Sequence, residues 1–270
     1  MPHTIAIFKV PKSRLEDLGP EGVFKELSNT SLVELSKYFE EINDKAALRR
    51  MEALRKIIKD LDARLIPDRI TSRDARFMLS YTYLAKVHYV IKGERRLESY
   101  PITVEHPVWL RVNSGLLLVF DSPSRRISRA VSELVSLKLF NDVSSITPLH
   151  LERDYIMAIE QWVTSKEYEV SGNIIRATFR RANIEGSVLE EISIKREGLD
   201  TMEIYSTIKN SAHEIKSLTF ITPLLPQFGR RVTCKIDNRG GLVIYTPGLR
   251  IVDLEVIINE LEKVLKLTER

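Results

Sequence analysis

Apolar residues follow two rhythms along this chain, and the change comes near residue 72. In SLVELSKYFEEI, Leu32, Leu35, Phe39 and Ile42 step by three and four. In ALRRMEALRKIIKDLDARL, the residues Ala47, Met51, Leu54, Ile58, Leu61 and Leu65 keep that spacing. A period of 3.6 puts such positions on one stripe, so two helices are expected, the second of about five turns. Asn43-Asp44 should break them, with Asp44 as N-cap, and Pro67 should end the second. Upstream, IAIFKV reads as a short strand or ordered arm, and Pro20-Glu21 opens a helical region.

Beyond residue 72 the period falls to two, and aromatic and β-branched residues become frequent. FMLSYTYLAKVHYVIKG, RLESYPITVE and VWLRVN are expected as three strands, with a turn at Gly93, followed by the buried strand LLLVF. Ser122 as N-cap and Pro123 at the first helical position then open a helix over 123–140, with Ile127, Ala130, Leu134 and Leu137 on one face. A loop over 141–148 and the helix HLERDYIMAIEQWV follow. NIIRATFRRANI and VLEEISIKRE read as strands joined near Glu185-Gly186, and MEIYSTIK, EIKSLTFITPLL and RRVTCKID as further strands. After a turn at Asn238–Gly241 comes the strand LVIY. Thr246-Pro247 then opens a last helix bearing Leu254, Ile258, Leu261 and Leu265.

One junction occurs twice. An offset of 124 pairs Pro123 with Pro247, Val108 with Val232, Leu110 with Cys234, Val112 with Ile236, Arg126 with Arg250, Ile127 with Ile251, Leu134 with Ile258 and Leu137 with Leu261, with no gap. Such a period suits two related units and exceeds solenoid repeats, which run to about 50 residues. The expectation is an α+β fold. A helical N-terminal segment (1–70) precedes two similar antiparallel sheet-plus-helix units (71–145 and 146–270), a possible internal duplication.

Composition narrows the setting. The hydrophobic share of 43% is enough for a substantial core, and 41 Lys and Arg against 37 Asp and Glu give a mild excess of +4. That permits an acidic partner without requiring one. A single cysteine, Cys234, rules out an internal disulfide and points to a reducing, cytoplasmic compartment. No stretch approaches the roughly 20 apolar residues of a membrane helix, and the first residues lack a signal-peptide core. No membrane association is expected.

Catalytic signatures are sparse. His3, His88, His106, His150 and His213 are scattered, and with one cysteine there is no zinc pattern. No phosphate-cradling glycine loop and no nucleophile elbow occur, so no metal, cofactor or catalytic residue is assigned. Cys234 alternates with Val232 and Ile236 and reads as core. A metal-dependent nuclease would need clustered carboxylates and a lysine. Glu190, Glu191 and Lys195 on one strand, with Asp200 nearby, are the closest approach, though a salt-bridged exposed face explains them equally.

The basic residues say more. Arg176, Arg180, Arg181, Lys195, Arg196, Arg230, Arg231 and Lys235 crowd the second unit, and Arg111 is the counterpart of Lys235 in the first. A contiguous basic face would neutralise phosphates independently of sequence, and Tyr81, Tyr83, Trp109 and Tyr205 could stack on bases. Arg49, Arg50, Arg55, Lys56, Lys59 and Arg64 line the expected long helix, and Arg125, Arg126 and Arg129 open another. A solvated face balanced by Glu and Asp is the competing reading. The expected function is non-enzymatic binding of DNA or RNA through a basic sheet face, within a dimer or larger complex assembled through helices over 32–65. A protein–protein adaptor and a nuclease-like enzyme are the alternatives.

Overall fold

The computed structural model describes residues 2–265 except Asp60, Lys92 and Glu185, so the expected Glu185 junction lies outside the described residues. The fold is α+β: among the described residues, seven α-helices accompany antiparallel strands. The chain divides into two compact units, residues 8–147 and residues 148–270 together with 1–7. It passes between them within β1 (His3–Lys9) and again at the short strand β6 (Thr147–Pro148).

The 8–147 unit contains α1 (Lys12–Leu27), α2 (Leu32–Glu41), α3 (Lys45–Arg55), β2 (Arg64–Ile70), β3 (Asp74–Ile91), β4 (Glu94–Arg111), β5 (Leu116–Phe120) and α4 (Arg125–Phe140). Its strands run in the order β2-β3-β4-β5. Cross-strand register puts Leu65, Leu79, Phe77, Val108, Leu110, Leu117 and Val119 on one apolar face, all buried. Phe24 of α1 stacks there on Phe77 at 5.3 Å. Most of the 3–4 stripe is taken up by this core: Leu32, Leu35, Phe39, Ala47, Met51, Leu54, Ile58, Leu61 and Leu65 are buried, while Ile42 is exposed. That leaves little of it for the partner expected at 32–65. Ser31 caps α2 in a full capping box with Glu34, and Asp44 caps α3 as expected.

The 148–270 unit contains α5 (Arg153–Val163), β7 (Asn173–Ile184), β8 (Ser187–Lys195), a 3₁₀ turn (Leu199–Thr201), α6 (Glu203–Ser211), β9 (Ala212–Ile221), β10 (Thr233–Asp237), β11 (Gly241–Ile244) and α7 (Ile251–Val264). Its strand order is β1-β11-β10-β9-β7-β8. Ile5, Ile244, Leu242, Cys234, Ile236, Phe220, Leu218, Ala177 and Phe179 share the buried face. Trp162 of α5 meets Phe220 edge-on at 6.1 Å, and Tyr205 of α6 lies 5.8 Å from Phe179. At the β10–β11 turn Gly240 has φ 74°, and a Cβ there would sit 2.7 Å from the Ile7 carbonyl, so only glycine fits.

Several expectations need correction. The helix expected through residue 65 stops at Arg55, and the chain re-enters as β2. Pro67 sits inside β2, which ends the sheet order of its unit, where a missing N–H is tolerated. The strand expected at MEIYSTIK is helix α6, which buries Tyr205 and Ile208 three apart. The strands expected over 96–105 and 108–113 are one continuous strand, β4. Ser124 rather than Ser122 caps α4, and α7 begins four residues after Pro247. At the 124-residue offset, β5 and α4 match β11 and α7 within two residues and β2 falls on β8, but β7 falls on α3 and its following turn, and α6 falls on β3. The likeness is therefore partial.

Candidate nucleic-acid interface

The helices of the 148–270 unit cover one face of its sheet. The other face is polar, and its register can be read strand by strand. Lys195 lies opposite Arg176, Arg176 opposite Thr219, Thr219 opposite Lys235, and Lys235 opposite Val243. These residues form one row across β8, β7, β9, β10 and β11, with neighbouring strands about 4.8 Å apart. Arg176 and Lys195 are exposed and Lys235 is half-buried. Among the described residues no carboxylate pairs with any of the three, and Arg176 instead donates from Nε to Ser193 Oγ at 3.0 Å. Like charges directly opposite destabilise a sheet, and an anion lying along the row would relieve them.

Further cations flank these strands. Arg231, two residues before β10, donates from Nε to the Thr222 carbonyl at 3.3 Å. Arg230, bridged to Leu225 within the β9–β10 connection, lies over the Phe228 ring at 4.7 Å. Arg196 follows Lys195 and is exposed, anchored by its N–H to the Ile175 carbonyl. The next row along the sheet runs Ser193, Thr178, Ser217 and Asp237, with the Thr178 and Ser193 hydroxyls 3.3 Å apart.

The far end of the face is different. Arg180 lies opposite both Glu191 and Glu214 and forms ion pairs with them at 3.7 and 3.9 Å. Lys216 reaches Glu191 at 2.6 Å, and that hydrogen bond, with the nearby charges of Lys216 and Arg180, holds the Glu191 carboxyl below its usual range. Arg181 is exposed with φ 49° beside this network. Arg180, Arg181, Glu191 and Glu214 line a cleft of about 660 Å³ with His150, Glu152, Arg153, Glu190 and His213. Arg153 is committed elsewhere, donating to the Lys209 and Ala212 carbonyls at the end of α6.

Of the nine basic positions singled out in the sequence, three share one row of this face: Arg176, Lys195 and Lys235. Arg180 is neutralised. Arg111 is the clear misplacement: it is 3% exposed in the other unit, 3.5 Å from the buried carboxylate of Asp74. Its alternation matched Lys235, but the face it occupies is buried.

The aromatic platform also fails. Tyr81, Trp109 and Tyr205 are buried, and Tyr83 is half-buried. Trp109 is sandwiched between the Arg76 guanidinium at 4.1 Å and Phe120 at 4.5 Å. Tyr205 donates to Glu160 at 2.8 Å, and burial pushes its hydroxyl pKa up. The helical cations are partly engaged, Arg50 with Glu133 at 3.5 Å and Arg64 with Asp62 at 2.7 Å.

The nuclease constellation does not assemble either. Asp200 accepts from the Ile174 N–H at 3.0 Å, and Glu191 belongs to the Arg180–Lys216 network. Among the described residues no group of three His, Cys, Asp or Glu side chains is placed to hold a metal ion. No helix among them is long and apolar enough to cross a membrane. Sequence reasoning missed the hydroxyl row of Ser193, Thr178 and Ser217 and the cation Lys216. The alternation of Ser and Thr with apolar residues in β7, β8 and β9 was the available signal. No protein-family model matches the sequence, and no curated protein matches it.

Proposed function

We propose that the 148–270 unit binds the phosphate backbone of a nucleic acid along the open face of its sheet. The observation that carries this reading is the Lys195–Arg176–Lys235 row, in which three cations share one line with no carboxylate among them. Arg196, next to Lys195, and Arg231, just before β10, add positive charge to the strands that carry the row. Such a face supplies charge without base-edge readout, so binding should be largely independent of sequence. Burial of Tyr81, Trp109 and Tyr205 removes most of the stacking component and favours backbone contact alone. A buried thiol at Cys234 with no disulfide suits a reducing, cytoplasmic setting.

A titration against duplex DNA, single-stranded DNA and RNA at 50 and 200 mM salt tests this. Three neutralised phosphates predict binding at low salt that weakens about 20- to 40-fold between those concentrations. Absence of binding at low salt would reject the reading. Mg²⁺ added to the same mixtures should leave the nucleic acid intact, and cleavage would favour an enzyme.

A further inference from the structure

In the 8–147 unit, β3 and β4 extend well past the rest of their sheet. β2 accompanies β3 only as far as Ser80, and β5 accompanies β4 only from Val108. The hairpin runs on to Ile91 and Glu94 as a two-stranded ribbon about 30 Å long. Leu84, Val87, Val90, Ile91, Leu97, Tyr100 and Ile102 are exposed on it, Val90 at 64% and Leu97 at 52%. A lone two-stranded ribbon is marginal in water, and a long apolar one invites another strand.

The backbone shows which edge is open. In an antiparallel pair, alternate residues turn their N–H and C=O towards the partner strand and the others turn away. Lys59 N–H donates to the Thr82 carbonyl at 2.9 Å, so Thr82 faces away from β4. Its partner Thr103 then faces away from β3, and the unbroken register carries the same parity to Pro101, Ser99, Leu97 and Arg95. Pro107 falls on this parity too. Both prolines thus lack an N–H on the outer edge of β4, which blunts it at 101 and 107. The open stretch is Arg95 to Ser99.

We propose that this stretch pairs with the same stretch of a second copy of the chain, antiparallel and centred on Leu97. A two-fold axis there places Leu97 opposite Leu97, Arg95 opposite Ser99, and Arg96 opposite Glu98 twice over, with about six backbone hydrogen bonds. Charge selects this centre. Pairing about Arg96 or about Glu98 sets like charges face to face, pairing about Arg95 opposes two arginines, and pairing about Ser99 brings Pro101 into the ladder. The β3 edge offers no such match, because its outward residues include Lys86 and His88 and no carboxylate. The product is a four-stranded sheet joining two chains through their ribbons. It does not depend on nucleic-acid binding.

Sedimentation velocity of the full chain across a concentration series provides the test. The wild-type protein should form a dimer. Ser99→Pro removes an outward N–H and leaves the hairpin's own bonds in place, so it should weaken the dimer about tenfold or more with thermal unfolding of the monomer unchanged. Arg96→Glu should weaken it similarly, and adding Glu98→Arg should restore it, since the swap recreates both opposite-charge pairs. A wild-type protein that stays monomeric overturns the proposal. So does a dimer indifferent to Ser99→Pro and Arg96→Glu, or open-ended assembly in place of a closed dimer.

Discussion

Asp74 is fully buried between two arginines. Arg76 reaches its Oδ2 at 2.5 Å through Nη2 and at 2.6 Å through Nε, and Arg111 stands 3.5 Å from Oδ1. Removing one partner of a buried ionic group strands the others in low dielectric, which costs about 3–5 kcal/mol. Asp74→Ala should therefore lower stability by about that much in chemical denaturation, while Arg176→Ala, on the open face, should change it by about 0.5 kcal/mol or less. Cys234 is fully buried, and burial pushes its thiol pKa up. It should resist thiol reagents in the native protein and react only on unfolding, and rapid native labelling would contradict its place in the core. The alternation Val232, Cys234, Ile236 made that position readable from sequence. The same alternation misled at Arg111, because a strand pattern distinguishes two faces but does not say whether the second is covered.

At the scale of elements, helix ends make the sharpest expectations. The Ser124 hydroxyl accepts from Ile127 N–H at 3.4 Å, while Arg125 and Arg126 occupy the first turn of α4, where the helix dipole disfavours cations. Ser124→Ala should cost about 1 kcal/mol, whereas Arg126→Glu should stabilise by about 0.3–1 kcal/mol. Calorimetry on both variants would check the opposite signs. In α2, burial raises the Glu34 pKa, but Lys138 at 2.5 Å and the Ser31 N–H outweigh it, and the carboxyl ends below its ordinary 4.5. A folded-state pKa lowered in this way contributes stability that is present above the unfolded value and lost as pH falls through the folded one. Stability should fall between about pH 5 and 3, and Glu34→Gln should flatten that limb. These helices were legible because caps and 3–4 stripes are local signals. β2 and α6 were not. Leu61 and Leu65 continue the stripe of α3 by chance of spacing, although Leu61 lies in the bend before β2 and Leu65 within it, and the β-branched IYSTI run hides a helix whose buried residues lie three apart.

Across the whole molecule, the α+β class was visible in the change of period, but the grouping of cations was not. Sequence placed nine basic residues in one set. The registers of β7, β8, β9 and β10 divide that set, bringing Lys195, Arg176 and Lys235 into line and closing Arg180 within the Glu191–Glu214 network. The bulge between Thr178 and Phe179 on the β7–β9 ladder, which no local pattern announces, helps set that division. The binding account therefore turns on the row, and its most direct test is the salt dependence of duplex DNA affinity for the wild-type protein beside a variant carrying Arg176→Ala, Lys195→Ala and Lys235→Ala. If the row holds three phosphates, the slope of log affinity against log salt should flatten by about 2 to 3 units, with every DNA sequence weakened alike. An unchanged slope in a folded triple variant would contradict the account.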